Sequence, residues 1–394
     1  GDKAYYISNS NLRLEGDMYQ HLGEYSDWAE LAGRQHPLFP HLSPGQETRA
    51  RIRDLLGFAS LPEQAGDVRV ERAWVKDGLA GEQISWSVGY GPRTSAWFFK
   101  PKGAQSGLPC VLALHDHDGF KYWGKEKIAE GEETALPGMR DWWSHAYGGR
   151  AWVNALAREG FAVLVHDTFL WGSRGFSPDT MLKALPEINL PGKWTDGLES
   201  DLYPPEAQAY NFLAGHHEHV VEKYCTLLGT CMAGVVAYED RIALNYLLSR
   251  PEVDPARSAC MGLSGGGNRA ALLMATAERL SAGVIVGLRT TYPALLDHKG
   301  APHTWMLFPP GLSRIGDWPD LAASRAPTPL LVQYDREDPL FTLEGMREAH
   351  ARLQAIYADA GADGGYAGQF YDGPHKFDQP MQEQAFTWLK AQLG

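Results

Sequence analysis

The spacing of apolar residues changes twice along the chain, and each change predicts a different kind of element. Residues 12–60 carry a helical pattern, as in RARIRDLLGF, broken by the Pro-rich stretch HPLFPHLSP. This predicts a helical arm over residues 1–65, packed on a main domain that spans 66–394. From 67 to 100 the period falls to two. VRVERAWV, EQISWSV and SAWFFK send alternate side chains to opposite faces and are separated by Gly-containing turns. Three consecutive antiparallel strands are expected there.

Beyond residue 105 the strands read as continuous apolar runs, the kind covered on both faces. LPCVLALHD (108–116) is the first; helix AWVNALAREG (151–160) feeds the second, FAVLVHD (161–167). A long helix at 232–249 feeds SACMGL (258–263), and NRAALLMATAERL feeds AGVIVGL (282–288). PLLVQYD (329–335), a helix at 343–360, the strand YAGQFYDG and a helix at 380–392 complete the series. Such alternation predicts an α/β domain: a mostly parallel central sheet with right-handed crossovers and helices on both faces. Two stretches rich in Trp, Pro and Gly interrupt it, at about 171–218 and 290–322. In an open α/β sheet, insertions of this kind overhang the carboxyl ends of the strands, where ligands bind, so both are expected to act as lids.

Composition narrows the partners. The 394 residues are 44% hydrophobic and 21% charged, enough apolar material for a sizeable core without staples. A formal charge of -12 and the lack of any dense Lys/Arg run argue against a nucleic-acid or anionic-membrane partner. No apolar run reaches the roughly 20 residues of a membrane span. The first residue is Gly, not Met, with no charged segment leading into an apolar one. The compartment therefore stays open: a soluble protein, cytoplasmic or exported with its signal peptide removed. Cys110 and Cys260 lie in apolar runs and read as core residues. Cys225 and Cys231 are spaced too widely for a zinc ribbon, and a disulfide between them stays open.

The chemistry centres on Gly262-Leu263-Ser264-Gly265-Gly266, a G-x-S-x-G sequence between an apolar strand and an amphipathic helix. A nucleophilic serine on a very sharp strand-to-helix turn leaves no room for side chains on either flank, which explains the glycines. The helix N-terminus adds partial positive charge where an oxyanion would develop. A serine hydroxyl needs a base, and in this arrangement the partners follow in the order Ser, acid, His. His375, in DGPHKF between the final strand and the final helix, is the candidate base. Two aspartates follow the strand PLLVQY. Asp335 abuts the strand and could instead cap the turn; Asp338, one turn beyond, can reach across, and is preferred. The acid would hold the imidazole in one tautomer and stabilise it when charged. Two backbone N–H groups should form the oxyanion hole, those of Gly265 and of His117 in the loop His115-Asp116-His117-Asp118-Gly119.

That loop and Gly215-His216-His217-Glu218-His219 also carry metal-ligating residue types. Neither matches H-E-x-x-H, so His115 and Asp116 are read as bracing the oxyanion loop and 216–219 as a polar helix start. No metal and no cofactor are expected. Trp123, Trp142, Trp143, Trp171, Trp194, Trp305 and Trp318 fall in predicted loops near the functional edge of the sheet. Their flat faces suit sugar rings or aromatic acyl groups, and Trp123, Trp171 and Trp305 are the substrate-binding candidates.

From about residue 105 onward the sequence resembles the acetyl xylan esterase-like and dienelactone hydrolase-like branch of the α/β-hydrolases. The resemblance rests on LALHDHDGFKYWGKEKI, on YEDRIALNYLLSRPEVDPARSACMGLSGGGNRAALL, on PPGLSRIGDWPDLAASRAPTPLLVQYDREDPLF, and on GPHKF. The arm before residue 65 is similar to the N-terminal extension of this branch. The resemblance implies an α/β-hydrolase fold with antiparallel first strands. It also implies Ser264, Asp338 and His375 as nucleophile, acid and base, the short apolar PLF after Asp338 fitting the acid position. The common His-Gly of the oxyanion loop is His115-Asp116 here, and the cysteine nucleophile of dienelactone hydrolases proper is replaced by serine. The implied activity is hydrolysis of acetyl or other short acyl esters, with a small-molecule or carbohydrate ester as partner; the oligomeric state is left open. Two rivals stand beside it. One is a serine peptidase of the prolyl-oligopeptidase type, for which the roughly 100 residues before the domain are too few to make a β-propeller. The other is a non-catalytic carbohydrate-binding protein on the same scaffold.

Overall fold

A single twisted sheet carries the site. The structure, a computed structural model, describes residues 19, 21–190, 200–296 and 299–394. Its strands are β1 (Gly66–Lys76), β2 (Leu79–Ser87), β3 (Thr94–Pro101), β4 (Leu108–Leu114), β5 (Ala162–His166), β6 (Val253–Leu263), β7 (Ala282–Val286), β8 (Leu330–Asp335) and β9 (Tyr366–Tyr371). Their order in the sheet is β1-β2-β3-β5-β4-β6-β7-β8-β9. β1 to β3 pair antiparallel, and β3 joins β5 antiparallel. From β5 onward every pairing is parallel.

Period-two alternation within the apolar runs divides the core between the two faces. On β4, Leu112 and Leu114 face one cluster and Val111 and Ala113 the other. The first cluster is closed by α2 (Gln46–Leu56), α7 (Met232–Ser249), α8 (Gly265–Thr276) and α11 (Leu343–Asp359). The second is closed by α3 (Pro137–Ala146), α4 (Trp152–Arg158) and α12 (Gln379–Leu393). Trp142 and Trp143 lie on α3 rather than in a loop, and both are buried. Trp194 lies outside the described residues.

Within the arm, α1 (Ser26–Gln35) buries none of its residues, whereas α2 buries Ile52 and Leu56. Arg53 ties α2 to the end of α8 by donating to Thr276 O at 2.6 Å. The first insertion holds α5 (Pro178–Ala184) and passes into α6 (Pro205–Leu227). Pro205 at the head of α6 fixes the helical φ where no intrahelical N–H is needed, so the helix begins there. Residues 216–219 consequently lie mid-helix, not at a helix start, and the helix runs past 218. The second insertion holds α9 (Tyr292–Leu295) and α10 (Asp320–Ala323). All four cysteines are free and buried. Among the described residues, no single helix is long and apolar enough to cross a membrane.

Candidate active site

β6 ends at Leu263, α8 begins at Gly265, and Ser264 makes the whole turn, with φ 59° and ψ -117°. A non-glycine residue held there stores about 1–3 kcal/mol of backbone strain, which the surrounding packing must over-determine. Ser264 donates its N–H to Val286 O at 2.8 Å, anchoring the turn to β7. The glycines are required sterically. A Cβ on Gly262 would stand 2.6 Å from Leu114 O, and one on Gly266 would stand 2.3 Å from the same oxygen. The elbow is thus pressed against the end of β4, from which the oxyanion loop departs. A Cβ on Gly265 would stand 2.6 Å from His117 N. The backbone of Gly265 is therefore packed against the amide of His117, and among the described residues neither of the two N–H groups proposed for the oxyanion hole donates to a protein acceptor.

His375 lies between β9 and α12, and its Nδ1 is 2.5 Å from Asp338 Oδ2. The other carboxylate oxygen of Asp338 accepts from Leu340 N–H at 2.8 Å. With Nδ1 donating, Nε2 is left to receive a proton. That nitrogen is buried and has no hydrogen-bond partner among the described residues, Ser264 Oγ included. The ring stands beside the elbow. A Cβ on Gly287 would meet both Leu263 Cδ1, at 2.7 Å, and His375 Cε1, at 3.3 Å. A serine–imidazole bond that closes only around substrate is ordinary for such sites. Asp335 does not take the acid position: its Oδ2 accepts from Lys376 N–H at 2.9 Å.

Burial pulls the imidazole of His375 down, but the Asp338 carboxylate against it, helped by Asp118 and Asp335, outweighs burial and raises its pKa to about 9. Burial pushes the Asp335 carboxyl up to about 8. His303, from the second insertion, is pulled down to about 4, chiefly by burial, and donates through Nε2 to Leu340 O at 3.1 Å. Asp335, Asp338 and His375 converge closely enough to resemble a ligand set, yet the Asp338 contact occupies Nδ1, and among the described residues the buried atoms of this cluster without a hydrogen-bond partner are Nε2 of His375 and Oδ1 of Asp335.

The candidate oxyanion loop is held by buried charges that carry no signal of their own in the sequence. Arg269, on α8, donates to His115 O at 3.0 Å and forms a bidentate pair with Asp240 on α7. Lys127 donates to Asp116 O at 2.7 Å and pairs with the Asp116 carboxylate at 3.0 Å. Burial of His115, with Arg269 and Lys127 nearby, holds its pKa well below the usual histidine range, so it stays neutral. Its Nδ1 lies 3.0 Å from Asp116 O and its Nε2 accepts from Thr168 N–H at 3.3 Å. The bracing role expected of His115 and Asp116 has this geometric basis.

Two of the three tryptophan candidates are buried. Trp171 is only 1% exposed; it packs on His117 with ring centroids 5.2 Å apart and carries the Lys121 ammonium over its face at 5.4 Å. Trp123, 8% exposed, is enclosed by Phe120, Tyr122 and Tyr203. Both rings are taken up by the packing around the loop in this structure. Trp305 differs, being 39% exposed, with its indole N–H donating to His219 at 2.8 Å.

The sheet order and the sharp strand-to-helix turn at Ser264 define an α/β-hydrolase fold. No family model matches the chain. In sequence it is similar to "Putative hydrolase YtaP" of Bacillus subtilis (strain 168), with 24% identity over 272 residues, which are 68% of this chain and 74% of that protein. In structure it is similar to a "putative acetyl xylan esterase" from Bacteroides fragilis NCTC 9343, with a TM-score of 0.64 and 16% identity over 92% of this chain and 84% of that one. A glucuronoyl esterase from Solibacter usitatus has a TM-score of 0.58 and 14% identity, over 89% of this chain and 93% of that one. Acetyl Xylan Esterase 1 from Thermoanaerobacterium sp. JW/SL YS485 has a TM-score of 0.56 and 14% identity, over 92% and 98%.

Proposed function

We propose that the chain is a serine carboxylic-ester hydrolase acting through an acyl-enzyme, on acetyl or other short acyl esters of carbohydrates. The observation that carries the reading is the pairing of His375 Nδ1 with Asp338 at 2.5 Å, which leaves a buried, unpartnered Nε2 beside a strained serine. In this mechanism Ser264 Oγ attacks the ester carbonyl carbon while His375 Nε2 takes its proton. The carbonyl oxygen, now an anion, is received by the N–H groups of Gly265 and His117. Collapse of the intermediate breaks the bond to the alcohol oxygen, which leaves with the proton from the imidazolium. Water, deprotonated by the same nitrogen, then attacks the acyl-serine, frees the acid and restores Ser264. The carbohydrate part of the reading is supported by the solved relatives that are acetyl xylan and glucuronoyl esterases.

The decisive experiment combines a fluorophosphonate probe with a series of p-nitrophenyl esters of increasing acyl length and acetylated xylan. A covalent adduct on Ser264, and a loss of at least about 10³-fold in kcat for Ser264→Ala, are expected. Full activity in that variant, or no adduct, overturns the reading.

A further inference from the structure

Glu218, in the middle of α6 and only 5% exposed, makes contacts that no helix-packing role requires. Its Oε1 faces the second insertion, accepting from Trp305 N–H at 2.9 Å and from the Thr304 hydroxyl. Its Oε2 faces the oxyanion loop, accepting from Lys121 Nζ and from His117 Nε2 at 2.9 Å. The tautomer of His117 is fixed at its far side, because Gly119 N–H donates to Nδ1 at 3.1 Å. His117 therefore reaches Glu218 as an N–H donor, and its ring links that carboxylate to the turn from which its own backbone amide projects. The attraction of Lys121 and His117 keeps the Glu218 carboxyl well below its ordinary range in spite of burial, so it is an anion throughout the working pH range. Only a carboxylate has acceptor capacity on both oxygens for these four donors. An amide can serve one side and must present N–H groups to the other.

We propose that Glu218 is a positioning residue that joins the second insertion to the oxyanion loop, so that substrate seated against Trp305 sets the backbone amide of His117. The proposal rests on the esterase reading above. Trp305 is the exposed member of the tryptophan candidates, and its backbone N–H and Thr304 share one carboxylate oxygen of Glu218. His117 and Lys121 share the other. A shift of the insertion on substrate contact is passed through this rigid, buried group to the hole. The consequence is specific to the transition state, since the His117 amide engages the oxygen only once charge develops on it.

The test uses the full chain and the variants Glu218→Gln, Thr304→Val and their combination, with p-nitrophenyl acetate as substrate and phenylboronic acid as a reversible tetrahedral mimic. Glu218→Gln is expected to lower kcat by about 10- to 100-fold, approaching the loss of one oxyanion donor. KM should stay within about 3-fold, and the boronate inhibition constant should weaken in proportion to kcat. Thr304→Val is expected to lower kcat about 5-fold, and the double variant should be no slower than Glu218→Gln, since both cut one connection. Fluorophosphonate should still label Ser264 in every variant. Unchanged kcat in Glu218→Gln, an effect confined to KM, or multiplying effects in the double variant would each overturn the proposal while leaving the esterase reading intact. If Glu218→Gln does not fold, Thr304→Val alone decides, and an unaltered kcat there rejects the link. Failure of the parent to label at Ser264 would instead remove the esterase reading.

Discussion

The carboxylate of Asp338 meets His375 Nδ1 at 2.5 Å, while Asp335, three residues earlier, gives its Oδ2 to the backbone of Lys376 at 2.9 Å. Both acids lie beside the same imidazole, but only one can fix its tautomer. An amide at 338 would present either N–H to N–H or an acceptor that does nothing to stabilise the imidazolium. Asp338→Asn is therefore expected to cost about 10⁴-fold in kcat, as for loss of tautomer control in other triads. Asp335→Asn replaces a carboxyl that burial already keeps protonated near neutrality, and should stay within about 10-fold of the parent. Steady-state kinetics on p-nitrophenyl acetate for the two variants checks the division of roles. Equal losses would mean that the acid function is shared.

The pH profile follows from the same contact. His375 must be neutral to accept the serine proton, and its pKa is raised to about 9 by Asp338 against the pull of burial. kcat/KM is therefore expected to rise with pH, with its midpoint near 9, well above that of an ordinary imidazole. Asp335, whose carboxyl ionises near 8, adds negative charge beside the ring within the same window. The linkage sign agrees with a charged pair. The folded pKa is raised above the unfolded one of about 6.5, so the pair's contribution to stability is complete below that value and lost as pH rises through 9. Asp338→Asn removes the main raising influence and leaves burial opposed only by Asp118 and Asp335, so the residual activity should show a midpoint well below that of the parent. A pH–rate profile of parent and variant decides this, and a parent midpoint near 7 would contradict it.

Where sequence reading succeeded and failed has a physical pattern. The elbow was legible because its constraint is local and steric: Gly262 and Gly266 have no room for a Cβ against Leu114 O, whatever the rest of the chain does. The central strands were legible because burial on both faces forces apolar runs, as in the wholly buried β5, β7 and β8. The braces of the oxyanion loop were not. Arg269, Asp240, Lys127 and Glu218 carry no local signature; each is an ordinary polar residue until a partner more than ten positions away meets it. In the sequence Glu218 stands in a His-rich run, Gly215-His216-His217-Glu218-His219, whose spacing speaks only to metal ligation. The exposure of the tryptophans is illegible for the opposite reason. A large aromatic in a loop gives the same sequence signal whether it faces solvent, like Trp305, or fills the space behind the loop, like Trp171.

The approach of Gly265 to His117 allows the oxyanion hole to be tested without touching the triad. Gly265 heads α8 in a conformation open to any residue, so alanine there meets no backbone penalty of its own. Its methyl group, however, would stand 2.6 Å from His117 N and 2.7 Å from His117 Cβ, closer than van der Waals contact allows. The helix has little room to retreat, because on the β7 side a Cβ on Gly267 would already stand 3.1 Å from Ile285 Cγ2 and from Val286 O, so the loop must move and carry the His117 amide away from the incoming oxygen. Gly265→Ala is expected to lower kcat by about 10²–10³-fold with KM little altered, the signature of an interaction made only in the transition state. Reactivity of Ser264 toward a neutral alkylating reagent that forms no oxyanion should fall far less. A Gly265→Ala enzyme with unimpaired kcat would show that the amide of His117 takes no part in receiving the oxyanion.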